Sequence, residues 1–140
     1  HRPTATDPAM APSGCDSFYA LVPVPNLRSG TDWRVEGPRL RERLIDYLET
    51  HGLPGLREHL VTDLTLTPLD FEQKLNSYVG AGFSLEPLFS QSAWFRPHNE
   101  SEDVRNLFLV GAGTHPGAGI PGVLSSAKIA GKLVRERVPC

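Results

Sequence analysis

Leu107-Phe108-Leu109-Val110 is a wholly apolar run, and the twelve residues after it hold five glycines (Gly111, Gly113, Gly117, Gly119, Gly122) and two prolines. A run of that length and bulk suits a strand buried on both faces of a parallel sheet. The glycines let the backbone take positive φ and approach another molecule with no Cβ in the way. Pro121 stands where a first helical turn begins, and Val123, Ala127, Ala130 and Val134 recur at helical spacing with Leu124 beside them. The stretch 106–138 therefore reads as strand, glycine turn and helix. The first amides of such a helix lack partners within it, and the macrodipole adds partial positive charge, so the site suits a pyrophosphate or another anion. Close packing of helix on strand accounts for small residues here as well.

Gly117-Ala118-Gly119-Ile120-Pro121-Gly122 satisfies the spacing G-x-G-x-x-G, but six residues separate its first glycine from the strand. The dinucleotide fingerprint places that glycine directly after the strand, with an acidic residue about 20 positions further on. The literal match is therefore not that fingerprint. The number of glycines between strand and helix exceeds what packing requires, which favours ligand binding.

A length of 140 residues and 39% hydrophobic content are compatible with one ordinary domain. The net charge of -2 and the scattering of the 11 arginines give no electrostatic footprint for nucleic acid. Cys15 and Cys140 lie near opposite ends with neither disulfide-framework nor metal-ligand spacing, so a reducing, cytoplasmic setting is expected. No apolar run approaches the roughly 18 residues that span a bilayer, and any membrane contact is expected to be peripheral.

Upstream, residues 1–14 are rich in Pro, Ala, Thr and Ser and read as an extended connector. Ser17 to Val24 is a strand candidate closed by Pro23 and Pro25. Pro38 is expected to open a helix whose stripe is Leu40, Leu44, Ile45 and Leu48, with Gly52 as its stop. A short helix is expected after Pro54, then a strand over 61–67 ended by Pro68. Thr67 or Asp70 is placed to cap the helix containing Phe71, Lys74 and Leu75.

Few residues offer chemistry of their own. Thr114 can give its hydroxyl to a cofactor phosphate or to a turn, and His115 can bond to a phosphate, the edge of a cofactor or the backbone. Trp94, Phe95, Arg96 and His98 either line an apolar substrate cavity or form an aromatic anchor that packs this segment on its neighbour. Ser125 and Ser126 lie outside any G-x-S-x-G elbow, and Glu100, Glu102 and Asp103 read as a solvated loop. The residues alone name no acid, base or nucleophile.

LVGAGTHPGAGIPGVLSSAKIAG resembles the C-terminal flavin-binding segment of the bacterial-type phytoene desaturases, FAD enzymes of carotenoid biosynthesis. The segments 15–25 (CDSFYALVPVP), 54–57 (PGLR) and 91–99 (QSAWFRPHN) are similar to that family in the same order. The resemblance implies an α/β fold class: a C-terminal fragment of a two-domain FAD-dependent oxidoreductase. Residues 15–100 would belong to the substrate-binding domain and its sheet, and 101–140 would supply the closing strand, glycine turn and helix of a Rossmann-like FAD domain. It implies that Gly111, Ala112, Gly113 and Thr114 contact the ribityl and phosphate region, while Ile120, Pro121, Gly122 and Val123 present amides toward the flavin ring. Ala112 and Gly113 carry no carboxylate where wider relatives place one, which fits the desaturase branch.

The implied partners are phytoene drawn from a membrane and the N-terminal remainder of the same polypeptide, in a cytoplasmic, peripherally membrane-associated enzyme. The implied reaction is dehydrogenation of 15-cis-phytoene toward neurosporene or lycopene, with the fragment alone inactive. Two other readings stay open at this level: a sister carotenoid oxidoreductase acting on another polyene, and a non-catalytic α/β module that binds an anion. No metal site and no catalytic residue are assigned.

Overall fold

The computed structural model describes residues 1–85 and 88–137, so Val138, the last residue of the expected terminal stretch, and Pro139 and Cys140 beyond it lie outside the described residues. Among the described residues there are four α-helices: α1 (Trp33–His51), α2 (Leu56–His59), α3 (Pro68–Leu75) and α4 (Ile120–Arg137).

Helix α1 begins five residues before the expected start. The Asp32 carboxylate accepts the amide of Arg34 at 3.0 Å and caps the helix there, leaving Pro38 inside it. Pro38 is the sixth residue of the helix, so it forgoes the bond its nitrogen would give to the carbonyl of Arg34, and the helix carries it as an interior proline. Trp33, Gly37 and Ile45 are buried, and Leu40, Leu44 and Leu48 are half-buried beside them, so the expected stripe holds and extends toward the new start. The amide of Gly52 donates to Leu48 and ends the helix as expected.

Helix α3 packs where α1 has no side chain: a Cβ on Gly37 would lie 2.9 Å from Thr67 Cγ2. Thr67 is the cap of α3, and both its amide (2.9 Å) and its hydroxyl (2.7 Å) donate to Asp70. Lys74, one turn on, pairs with the same carboxylate at 2.8 Å. Arg57 reaches from α2 to Glu42 (2.8 Å) and Asp46 (2.6 Å) on α1. These pairs are exposed, so they orient the short helix more than they stabilise it.

The connector is not simply extended. It has 3-10 turns at Pro3–Ala5 and Pro8–Met10, and it folds back onto the segment after it. Arg2 donates twice to Asp16 at 3.0 Å, and His1 and Tyr19 exchange backbone bonds at 2.9 Å. The strands expected at 17–24 and 61–67 join no ladder within the described residues: the first has only the Tyr19 pair with His1, and in the second Val61 is 87% and Leu64 81% exposed. At the expected parallel strand the pairing found is a single antiparallel bridge, Glu100 to Phe108. Phe108 and Leu109 are half-buried there, but Leu107 and Val110 are exposed. A ladder needs a neighbouring strand to satisfy its other edge, and no such neighbour lies among the described residues.

Candidate cofactor site at the glycine turn

The segment 96–101 runs alongside 107–115 and ties the glycine turn down. Leu109 N–H donates to Asn99 O and Ser101 N–H to Leu107 O, both at 2.9 Å, while His115 N–H donates to Pro97 O at 2.9 Å. Arg96 is 8% exposed and donates from Nη1 to Ala112 O at 2.6 Å. Of that cluster Arg96 is the residue held against the turn, while Trp94 and Phe95 are 71% and 57% exposed. His98 pairs with Glu102 at 2.7 Å and lies edge-on to Trp94. Between this segment and α4 is a cavity of about 430 Å³, lined in part by Trp94, His98, His115, Ile129 and Leu133.

Helix α4 presents a different face from the apolar stripe expected. Ser126 is fully buried and Ala130 is 3% exposed, with Val123, Ile129 and Leu133 half-buried beside them, whereas Ala127 and Val134 face outward. A serine lies at the centre of that face because the turn supplies it with polar partners. Asn99 Nδ2 donates to Ser126 Oγ at 2.9 Å and to Leu109 O at 3.0 Å, and Gly111 N–H donates to Ser126 Oγ at 3.1 Å. Thr114 Oγ1 is 2.8 Å from Ser126 Oγ and 3.0 Å from Gly111 O. Of the two roles open to Thr114 in the sequence, the turn hydrogen bond is the one observed.

The glycines differ in what they allow. A Cβ on Gly122 would lie 2.5 Å from Gly117 O, so the backbone closes on this residue, whereas one on Gly113 would lie 2.4 Å from Ser84 Oγ, the end of a side chain that can rotate away. Gly111 (φ 124°) and Gly119 (φ 86°) are conformationally demanding yet crowded by no neighbour. A Cβ there would stand over space that a ligand can occupy. Ile120 and Pro121 are exposed at the start of α4, while Gly122 and Val123 are half-buried. Gly111, Ala112, Gly113 and Thr114 thus join one end of the turn to α4 through Ser126, and Ile120 to Val123 form the first turn of the same helix. The arrangement fits an extended anionic cofactor: open backbone over two glycines, and a helix start where negative charge is favoured.

Sequence reasoning passed over Asn99 and Ser126. Ser126 lies one turn from Val123 and Ala130, and that spacing was the available signal. Groups of histidine, cysteine, aspartate and glutamate able to hold a metal are absent among the described residues. Cys15 is free and exposed.

Residues 38–134 match the family of flavin containing amine oxidoreductases, and the chain belongs to that family. Among curated relatives it is 58% identical over 97% of its length to a lycopene-forming phytoene desaturase of Pseudescherichia vulneris. It is 50% identical over 99% to a neurosporene-forming phytoene desaturase of Rhodobacter capsulatus, and 42% identical over 96% to a 4,4'-diapophytoene desaturase of Methylomonas. The chain spans 28%, 26% and 26% of those relatives' lengths.

Proposed function

We propose that this chain is the C-terminal part of an FAD-dependent phytoene desaturase that dehydrogenates 15-cis-phytoene toward neurosporene or lycopene. In this reading the fold is α/β. The extended segments 17–24 and 61–67 add to a substrate-domain sheet, and 107–110 with α4 close a Rossmann-like FAD domain built mainly by the rest of a longer polypeptide. The observation that carries it is the pairing of a turn left open over Gly111 and Gly119 with identities of 50–58% to phytoene desaturases across nearly the whole chain. The flavin, when bound, supplies the ring that accepts hydride from the polyene.

The chain's own residues position and exclude. Gly111, Ala112, Gly113 and Thr114 hold the turn at the ribityl and phosphate side, and Ile120, Pro121, Gly122 and Val123 offer the amide-rich end of α4 toward the ring. Trp94 and Phe95 add apolar surface that a long hydrocarbon can meet. None of the described helices is long and apolar enough to cross a membrane. The polyene is taken from the bilayer by peripheral contact on the cytoplasmic side.

The test is to incubate the complete polypeptide with FAD and 15-cis-phytoene in liposomes and to identify products by their absorption and mass. Neurosporene or lycopene is the expected product. Absence of any newly conjugated polyene, with diapophytoene consumed instead, would move the assignment to the sister desaturases.

A further inference from the structure

The hydrogen bonds around Ser126 can be ordered proton by proton. Ser126 Oγ receives Gly111 N–H at 3.1 Å and Asn99 Nδ2 at 2.9 Å. A hydroxyl has two acceptor positions, and both are now filled. Its own proton must therefore point to the remaining neighbour, Thr114 Oγ1 at 2.8 Å. The Thr114 hydroxyl, an acceptor in that bond, sends its proton to Gly111 O at 3.0 Å rather than to the more distant His115 O at 3.5 Å. The chain of donors starts at the amide of Gly111 and returns to the carbonyl of the same residue. Asn99 fixes its direction from outside: one Nδ2 proton goes to Ser126 and the other to Leu109 O at 3.0 Å, with a longer approach to Thr114 at 3.3 Å. Ser126, Asn99 and Thr114 are 0%, 3% and 7% exposed, so water does not compete for these bonds.

We infer that Ser126, Thr114 and Asn99 are positioning residues for the cofactor, holding the turn at Gly111 in one orientation relative to the start of α4 through this one-way circuit. This rests on the flavin reading above. Both polar groups of Gly111 are used up internally, at a φ of 124° that only glycine adopts readily. With the carbonyl of Ala112 taken by Arg96, what the turn can offer a ligand is then set by the amides of the next two residues, Ala112 and Gly113, whose direction depends on Gly111 being locked. Ser126 stands one helical turn past the first turn of α4, so the same hydroxyl sets the distance between the two halves of the site. Loss of a hydroxyl would leave a buried donor or acceptor unmatched and release the direction of the whole ring.

The test uses the complete polypeptide, comparing FAD affinity of the apoprotein and the visible spectrum of the bound flavin across variants. Ser126→Ala and Thr114→Val, which keep the volume and remove a hydroxyl, should each weaken FAD binding on the order of tenfold and alter the bound-flavin spectrum. Thr114→Ser restores the hydroxyl without the methyl and should recover most of the affinity lost in Thr114→Val. Ile45→Val, in α1 away from the turn, lowers stability without changing FAD affinity, which separates positioning from general destabilisation. Wild-type affinity and spectrum in both Ser126→Ala and Thr114→Val would overturn the inference, and so would Thr114→Ser failing as badly as Thr114→Val. If Thr114→Val does not fold, Ser126→Ala decides alone. A wild-type polypeptide that binds no flavin would refute the proposed function itself, a separate outcome.

Discussion

A methyl group on Gly122 would lie 2.5 Å from the carbonyl oxygen of Gly117, whereas one on Gly111 would meet nothing within 4 Å but would have to accept φ 124°. The two residues are glycine for opposite reasons. Gly122→Ala should act by overpacking, costing about 1–3 kcal/mol. Gly111→Ala should act by backbone strain, costing about 1–3 kcal/mol. Thermal melts of the complete polypeptide check both; an unchanged melting temperature in either variant would show that the turn has a different geometry. The sequence showed that glycines cluster here. Which glycine served space and which served φ became visible only when Gly117, Ser84 and the turn were brought together.

Helix α3 carries the clearest electrostatic cap among the elements. The Lys74 ammonium, followed by the amide and hydroxyl of Thr67, holds the Asp70 carboxyl well below the usual carboxylate range. A folded-state value below the unfolded one gives stability that is complete above the unfolded value, about 4, and is lost as the pH falls from there through the folded value. Asp70→Ala should cost about 1 kcal/mol near neutral pH and should flatten the acid side of the stability curve. Denaturant melts across that range would contradict this if wild type and variant ran parallel. Both residues were legible as candidate caps; that Thr67 is the cap and Asp70 its partner three residues on was seen only in the fold. The start of α1 was not legible, since Pro38 offered a stronger local signal than Asp32. The buried face of α4 was misread because an apolar stripe was sought and its central residue is Ser126, whose burial depends on Asn99 and Thr114 from distant parts of the chain.

At the scale of the whole molecule, surface decides. A folded monomer of 15.3 kDa would expose about 7,100 Å² by the usual scaling of area with mass, whereas this chain exposes 10815 Å². Trp33, Ile45 and Ala130 are the buried apolar residues among those described, while Val61, Leu64, Phe89 and Ile120 are 79–87% exposed. An excess of that size is on the scale of an obligate interface. It fits the proposal that the segments 17–24 and 61–67, read as strands in the sequence, pair with parts of an α/β sheet that lie in the rest of a longer polypeptide. The 140 residues expressed alone should be poorly soluble or molten, binding a hydrophobic dye and melting without a sharp transition. A monomeric product that unfolds cooperatively would contradict that reading.

If the glycine turn and α4 form one side of an FAD site, flavin stays with the complete polypeptide through purification and extensive dialysis, and it can be identified and quantified after denaturation. FAD should be stoichiometric with the wild-type chain and strongly depleted in Gly122→Ala. A wild-type protein that retains no flavin, or a Gly122→Ala protein that retains it in full, would show that the turn is not part of such a site.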